Sequence, residues 1–341
     1  MEFMRLEGRP FRGKELERLK AFLTLNQLDY DDGIEYTICL LDENYRIVAT
    51  GSAHDNVLKC IAVDQETRGS GLAATICSAL VQYEFEKGRS HILLYTKPEN
   101  QEMFENLGFY GVLTTNEILF MENRKEGFDQ FIHRLKEESP KEALESGPVI
   151  GCMVVNCNPF TNGHRYLVEQ AHLNCDYLHV LVLSDDRSFF HAEDRYQLVK
   201  EGVSDLSKVI VHRSSDFVIS AATFPTYFIK EKAQAQKANC LLDLTLFARR
   251  IAPELKITRR FVGTEPNCAI TGQYNEQMKE ILPQYGIEVI EFERKQLKGT
   301  PVSASMVRAW YEKGDFHHIK EVVPETTLKF LEIKKGQRPM G

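Results

Sequence analysis

The sequence predicts an α/β protein of two domains: an α+β domain over residues 1–140, followed over residues 141–341 by a domain built on a parallel sheet. Three observations carry this. At 341 residues the chain exceeds the size at which a single hydrophobic core usually stops growing. A strand feeding a Gly-containing turn and then a helix occurs twice. Between the two units lies Arg124 to Gly147, charge-rich and broken by Pro140, which reads as a solvated helix running into a linker near Pro140–Pro148.

In the first domain, Glu35 to Thr50 alternates apolar positions around Asp42-Glu43-Asn44, predicting two strands and a turn, and Val57 to Val63 predicts a third. Asp64 to Ala73 (DQETRGSGLA) then opens an amphipathic helix reaching about Lys87. Unpaired N–H groups, a Gly-rich turn and the helix dipole together make an anion site there. A Gly-rich turn with no ligand is the plain alternative. His91 to Tyr95 predicts another strand, and Pro98 to Phe109 follows, ending in FENLGF.

The second domain opens on VIGCMVVNCNPFTNGHRYLVEQA, Val149 to Ala171. Val149 to Val155 is an apolar run suited to a strand buried on both faces. The turn Asn156 to Asn162 contains Pro159, which keeps the helix from starting early. Leu167, Val168 and Ala171 then fall on one helical face. Gly163 would let a phosphate approach the backbone, His164 can place a ring N–H on a phosphoryl oxygen, and Thr161 adds a hydroxyl donor. For a T-x-G-H taken by itself, a capped helix with a surface histidine reads equally well.

Further strands are predicted at Tyr177 to Ser184, Lys208 to His212, Lys256 to Gly263 and, last, Gly286 to Phe292. Asp194-Arg195 starts a helix, Ala221 to Lys256 is mostly helical, and Ser303 to Lys334 forms a helical tail. Strands alternating with helices imply a parallel sheet whose ligands sit beyond the strand carboxyl ends. Arg195 reads as a phosphate contact or, equally, as a surface cation. Lys230 reads rather as snorkelling from a core face than as a phosphate ligand. His317-His318 point about 100° apart on a helix and do not suggest a metal site.

Composition sets outer limits. The net charge of −7 argues against a nucleic-acid coat. No apolar run reaches the ~18–20 residues of a membrane span, and the N-terminus lacks a secretory pattern. Eight cysteines, several inside apolar runs (Cys39, Cys60, Cys152) and none in a C-x-x-C pair, suggest reduced thiols in the cytoplasm. No metal ligands are assigned from the sequence, Cys152 and Cys157 lacking partners for a site.

Thr161-Asn162-Gly163-His164 resembles the (H/T)-x-G-H signature of the nucleotidyltransferase superfamily, a Rossmann-like fold whose members attack the α-phosphate of ATP. Val302-Ser303-Ala304-Ser305-Met306-Val307-Arg308 resembles its second signature, which holds the β- and γ-phosphates. Arg68-x-x-Gly71-x-Ala73 resembles the pyrophosphate loop of GNAT acetyltransferases, a likeness covering about Thr37 to Met121. Many of those enzymes carry a proton-donating tyrosine where this chain has Phe104, which favours binding of a CoA-like arm over amine acetylation. The order of the two halves, with AATFPTYFIK, RFVGTEPN and VSASMVR, resembles the [citrate (pro-3S)-lyase] ligase family over nearly the whole chain.

That resemblance implies ATP and Mg²⁺ as cofactors, with acetate and the citrate lyase acyl-carrier subunit as partners, and neither nucleic acid nor membrane. It implies catalytic roles for His164 and Thr161. ATP contacts would come from Asn158, Phe160, Asn162, Gly163, Arg195, Ser303, Ser305 and Arg308. Arg68, Gly69, Gly71 and Ala73 would hold the CoA-derived arm. Two other readings stand beside it: an adenylyltransferase acting on a nucleotide or phosphopantetheine and fused to an active N-acetyltransferase, and a non-catalytic sensor of acetyl-CoA.

Overall fold

A computed structural model describes residues 3–30, 33–145, 147–184, 188–219, 240–265, 269–297 and 299–336. The chain parts into two compact units, Met1–Gln130 with Ala222–Leu242 and Phe131–Ala221 with Asp243–Gly341. In the first, strands β1 (Met4–Gly8), β2 (Tyr36–Leu41), β3 (Ile47–His54), β4 (Val57–Val63), β5 (Leu93–Thr96), β6 (Tyr110–Thr114) and β7 (Leu119–Glu122) form one sheet in the order β1-β2-β3-β4-β5-β7-β6. All neighbours are antiparallel except β4 and β5. Those two pair only at Val57–Leu93 and Leu58–Leu94, so β4 runs on to Val63 without β5 beside it.

Helix α2 (Leu72–Glu86) packs on β2, β3 and β4. A glycine in β3 permits this closeness: a Cβ at Gly51 would lie 2.4 Å from Ile76 Cγ2. Helix α3 (Gln101–Glu105) puts Phe104 into the core, edge-on to Phe109. Strand β1 and helix α1 (Gly13–Leu25) had no counterpart in the sequence reading. The former is a short edge strand with mostly exposed side chains, and so lacks a clear alternation.

The second unit holds five parallel strands in the order β10-β9-β8-β11-β12: β8 (Ile150–Val155), β9 (Tyr177–Val182), β10 (Val209–Arg213), β11 (Ile257–Gly263) and β12 (Glu288–Phe292). The chain proceeds outward from β8 on one side, then returns to β8's other side with β11. The carboxyl end of β8 is therefore the topological switch point, where such sheets bind ligands. Helices α5 (Asn162–His172) and α6 (Ala192–Gly202) follow β8 and β9. The tail comprises α9 (Ala304–Lys313), α10 (Phe316–Val322) and α11 (Glu325–Gly336). Of the stretch expected to be helical from Ala221, residues 220–239, with Thr223 to Lys230, lie outside the described residues. Residues 240–246 are helical (α7), Phe247–Ile251 make a π-type turn, and α8 (Ala269–Ile281) lies between β11 and β12.

Two expectations are corrected. Glu288–Phe292 is not the last strand, since a hairpin of β13 (Gln296–Leu297) and β14 (Thr300–Pro301) follows, too short to leave a periodic signal. Helix α4 (Gly127–Glu137) is not solvated all round: Phe128, Phe131, Ile132 and Leu135 form a buried face beneath its charges. From its later turns Arg134 donates to the carbonyls of Arg213 and Ser214, and Phe131 packs on Phe217. Just past it, Glu138 Oε2 lies 2.6 Å from His212 Nδ1, and His212 Nε2 lies 2.9 Å from His179 Nδ1. Among the described residues no helix is long and apolar enough to cross a membrane. The described cysteines are unbridged, and all but Cys175 are buried.

Candidate active site

The turn after β8 is ordered by its own side chains. Thr161 is the N-cap of α5 in an extended conformation, and its Oγ1 accepts the His164 N–H. The His164 ring reaches back, and its Nδ1 accepts the Thr161 backbone N–H at 3.1 Å, closing a reciprocal capping box. A backbone N–H can only donate, so Nδ1 carries no proton and the neutral ring is protonated at Nε2. Burial, with the nearby charge of Arg294, pushes the His164 pKa down to about 4. At neutral pH His164 is an uncharged donor through Nε2–H.

Phe160 supports that ring from the core. It is fully buried, stacks on His164 with centroids 6.0 Å apart, and fits against Gly202, where a Cβ would come within 2.4 Å of its ring. Thr161 is likewise fully buried, with its hydroxyl 3.0 Å from His164 Nδ1. Both side chains therefore act on His164.

The second signature meets the first. Ser303 caps α9, its Oγ accepting the Ser305 N–H and lying 2.5 Å from Ser305 Oγ. Just before it, Val302 presses on the start of α5: a Cβ at Gly163 would lie 3.1 Å from Val302 O. Gly163 thus allows two chain segments to approach. Arg308 Nη1 donates to the Asn158 carbonyl, while Asn158 Oδ1 accepts the Phe190 N–H and Asn162 Nδ2 reaches Glu321 O at 3.5 Å.

Arg195 is no surface cation. It is fully buried and donates to Phe190 O, Asn156 O and Asn156 Oδ1, bracing the turn from behind. Arg294, which neither signature includes, stands half-buried past β12, bonded to Thr264 O and Glu265. The basic pair Arg294-Lys295 just beyond a parallel strand was the available sequence signal.

The glycine turn of the first unit is built differently. Gly69 and Gly71 have φ of +81° and +78°, with open space where a Cβ would point. Gly71 is the N-cap of α2 and provides no side-chain cap, so nothing covers the helix's first N–H groups from that position. Arg68 is exposed beside it and Ala73 lies in the first turn of α2.

An α+β unit followed by a parallel-sheet unit in which the T-x-G-H and S-x-S-x-x-R segments meet defines a chain of the nucleotidyltransferase type with a GNAT domain ahead of it. Residues 150–331 match the family model for the citrate lyase ligase C-terminal domain, and residues 2–109 match the acetyltransferase (GNAT) family. A [citrate [pro-3S]-lyase] ligase of Klebsiella pneumoniae is 40% identical over 320 residues, covering 92% of each chain. That of Escherichia coli K12 is 38% identical over 94% of this chain and 91% of its own. The chain belongs to the citrate lyase ligase family. Among solved structures, Thermotoga maritima TmcAL bound with alpha-thio ATP matches at 16% identity over 56% of this chain and 57% of its own, with a TM-score of 0.35.

Proposed function

We propose that the chain activates acetate with ATP and passes the acetyl group to the thiol of the CoA-derived prosthetic group on the citrate lyase acyl-carrier subunit. The observation that carries this is the meeting of the two signatures at the end of β8, through Gly163 against Val302 and Arg308 on Asn158 O. Membership of the citrate lyase ligase family supports this choice of substrates.

Acetate is a poor acyl donor until its oxygen is joined to a leaving group. A carboxylate oxygen attacks the α-phosphorus, the bond to the β-phosphate bridging oxygen breaks, and pyrophosphate leaves. The thiol then attacks the acetyl carbon, AMP departs with the former carboxylate oxygen, and the thiol proton passes to solvent. His164 Nε2–H donates to the α-phosphoryl oxygens as charge builds there. Thr161 and Phe160 hold that ring in place, and Arg195 braces the turn. Ser303, Ser305 and Arg308, with the Asn162 and Gly163 backbone, hold the departing phosphates. Among the described residues no group of three or more His, Cys, Asp or Glu could hold a metal ion. Mg²⁺ bound with the ATP phosphates would neutralise part of their charge. Arg68, Gly69, Gly71 and Ala73 receive the CoA-like arm, and Phe104 offers no proton for amine acetylation.

Incubation with ATP, Mg²⁺ and a panel of carboxylic acids tests this, with pyrophosphate and acyl-adenylate measured and the carrier subunit weighed by mass spectrometry. Acetate-dependent pyrophosphate release and an acetylated carrier are expected. A stable product that retains AMP on a nucleotide or pantetheine would overturn it.

A further inference from the structure

Arg294 lies just past the carboxyl end of β12, on the side of the parallel sheet where β8 ends in the Thr161–His164 turn. Its Nε donates to Thr264 O at 2.6 Å and its guanidinium pairs with Glu265. Thr264 and Glu265 follow β11, the strand on the far side of the switch point, and Arg294 follows β12. The neighbouring residue is fastened to the site: Lys295 O accepts the N–H of Val302 at 3.0 Å, and Val302 is the residue pressed on Gly163. One residue therefore separates Arg294 from the contact that joins the two signatures. Its charge is also felt at the His164 ring.

A neutral histidine supplies one N–H to a group that gains negative charge, and a guanidinium adds a forked, permanently charged donor. Resting on the ATP reading above, we propose that Arg294 is a further phosphate-binding residue, which leaves Glu265 for the α-phosphoryl group of ATP beside His164.

The test uses the full chain with Arg294→Ala, Arg294→Lys and Glu265→Gln, reading ATP and AMP affinity by calorimetry, acetate-dependent pyrophosphate release and melting temperature. Because the α-phosphate stays in AMP, Arg294→Ala should weaken AMP and ATP alike and slow adenylate formation by about 10²-fold, as for loss of one transition-state donor. Arg294→Lys keeps the charge and should recover part of the rate. Glu265→Gln removes a competitor for the guanidinium and should tighten ATP. Wild-type rates and affinities in Arg294→Ala would overturn the proposal, as would equal losses of melting temperature and rate in Arg294→Ala and Glu265→Gln, the mark of a structural ion pair. A wild-type chain that binds no ATP would sink the ATP reading itself, a result distinct from either.

Discussion

The chain contains two strand–turn–helix starts proposed to cradle anions, and they are built by opposite means. At Arg68–Gly71 the turn is mainly backbone: two glycines in the left-handed region leave open space beside the helix start, with the exposed Arg68 next to them. At Thr161–His164 side chains do the work: the helix start is capped, and a histidine is locked by its neighbour's N–H. The first arrangement can hold a charge but has no group poised to act on it. The second fixes one proton on one atom, which is what stabilising a developing charge requires. On the proposed function, binding of the CoA-like arm falls to the first turn and the chemistry to the second.

The largest effect should come from the Thr161–His164 turn. His164→Ala is expected to slow adenylate formation by ~10²–10³-fold with ATP affinity nearly kept. Wild-type pyrophosphate release would break the contrast. Thr161→Ala should cost far less in rate, because the backbone N–H that sets the ring tautomer remains, but should lower stability by about 1 kcal/mol through the lost cap. Since the ring pKa is held down to about 4, His164 should contribute no acid limb above that point. The sign for stability follows. Above the ordinary value of 6.5 both folded and unfolded rings are neutral; between there and about 4 only the unfolded chain takes the proton. His164 therefore makes stability fall as pH drops through that window, and a pH series of melts with His164→Ala should show a shallower slope.

Arg308→Ala ranks next, with ATP weakened by ~10–100-fold, the range for a hydrogen bond to a charged group, and AMP nearly unaffected. Equal losses for both nucleotides would move Arg308 off the leaving phosphates. In the backbone cradle, Gly71→Val should weaken CoA binding to the full chain by roughly tenfold, by straining a residue at positive φ and crowding the N–H groups. Smallest of all, Arg68→Ala should cost about two- to fivefold at low salt and less at high salt, as an exposed charge contact is screened. A salt-independent loss would mean that Arg68 supports the turn's shape.

The local parts of both cradles were legible in the sequence, because strand, turn and helix start are contiguous and their residue types follow from backbone rules. What lay across the fold was not. Nothing local says that Phe160 faces inward to stack on His164, or that Arg195 turns inward to brace Asn156. Gly163 was read as room for phosphate, whereas its missing Cβ also makes room for Val302, a contact set by tertiary packing. Arg294 escaped because its partners, Thr264 and Glu265, come from a different strand end. In the charged stretch around α4, the abundance of Glu, Lys and Arg hid an apolar stripe of four residues.

That last helix decides where the polypeptide can be severed. A truncation that starts at residue 141 would discard Glu138, the carboxylate on His212, and with it the anchor of a buried histidine pair carried by β9 and β10. It would also strip Phe131 from Phe217 and the Arg134 guanidinium from the carbonyls of Arg213 and Ser214. The adenylating half should therefore be expressed with α4 attached, and a shorter fragment that proved inert would say nothing about its chemistry.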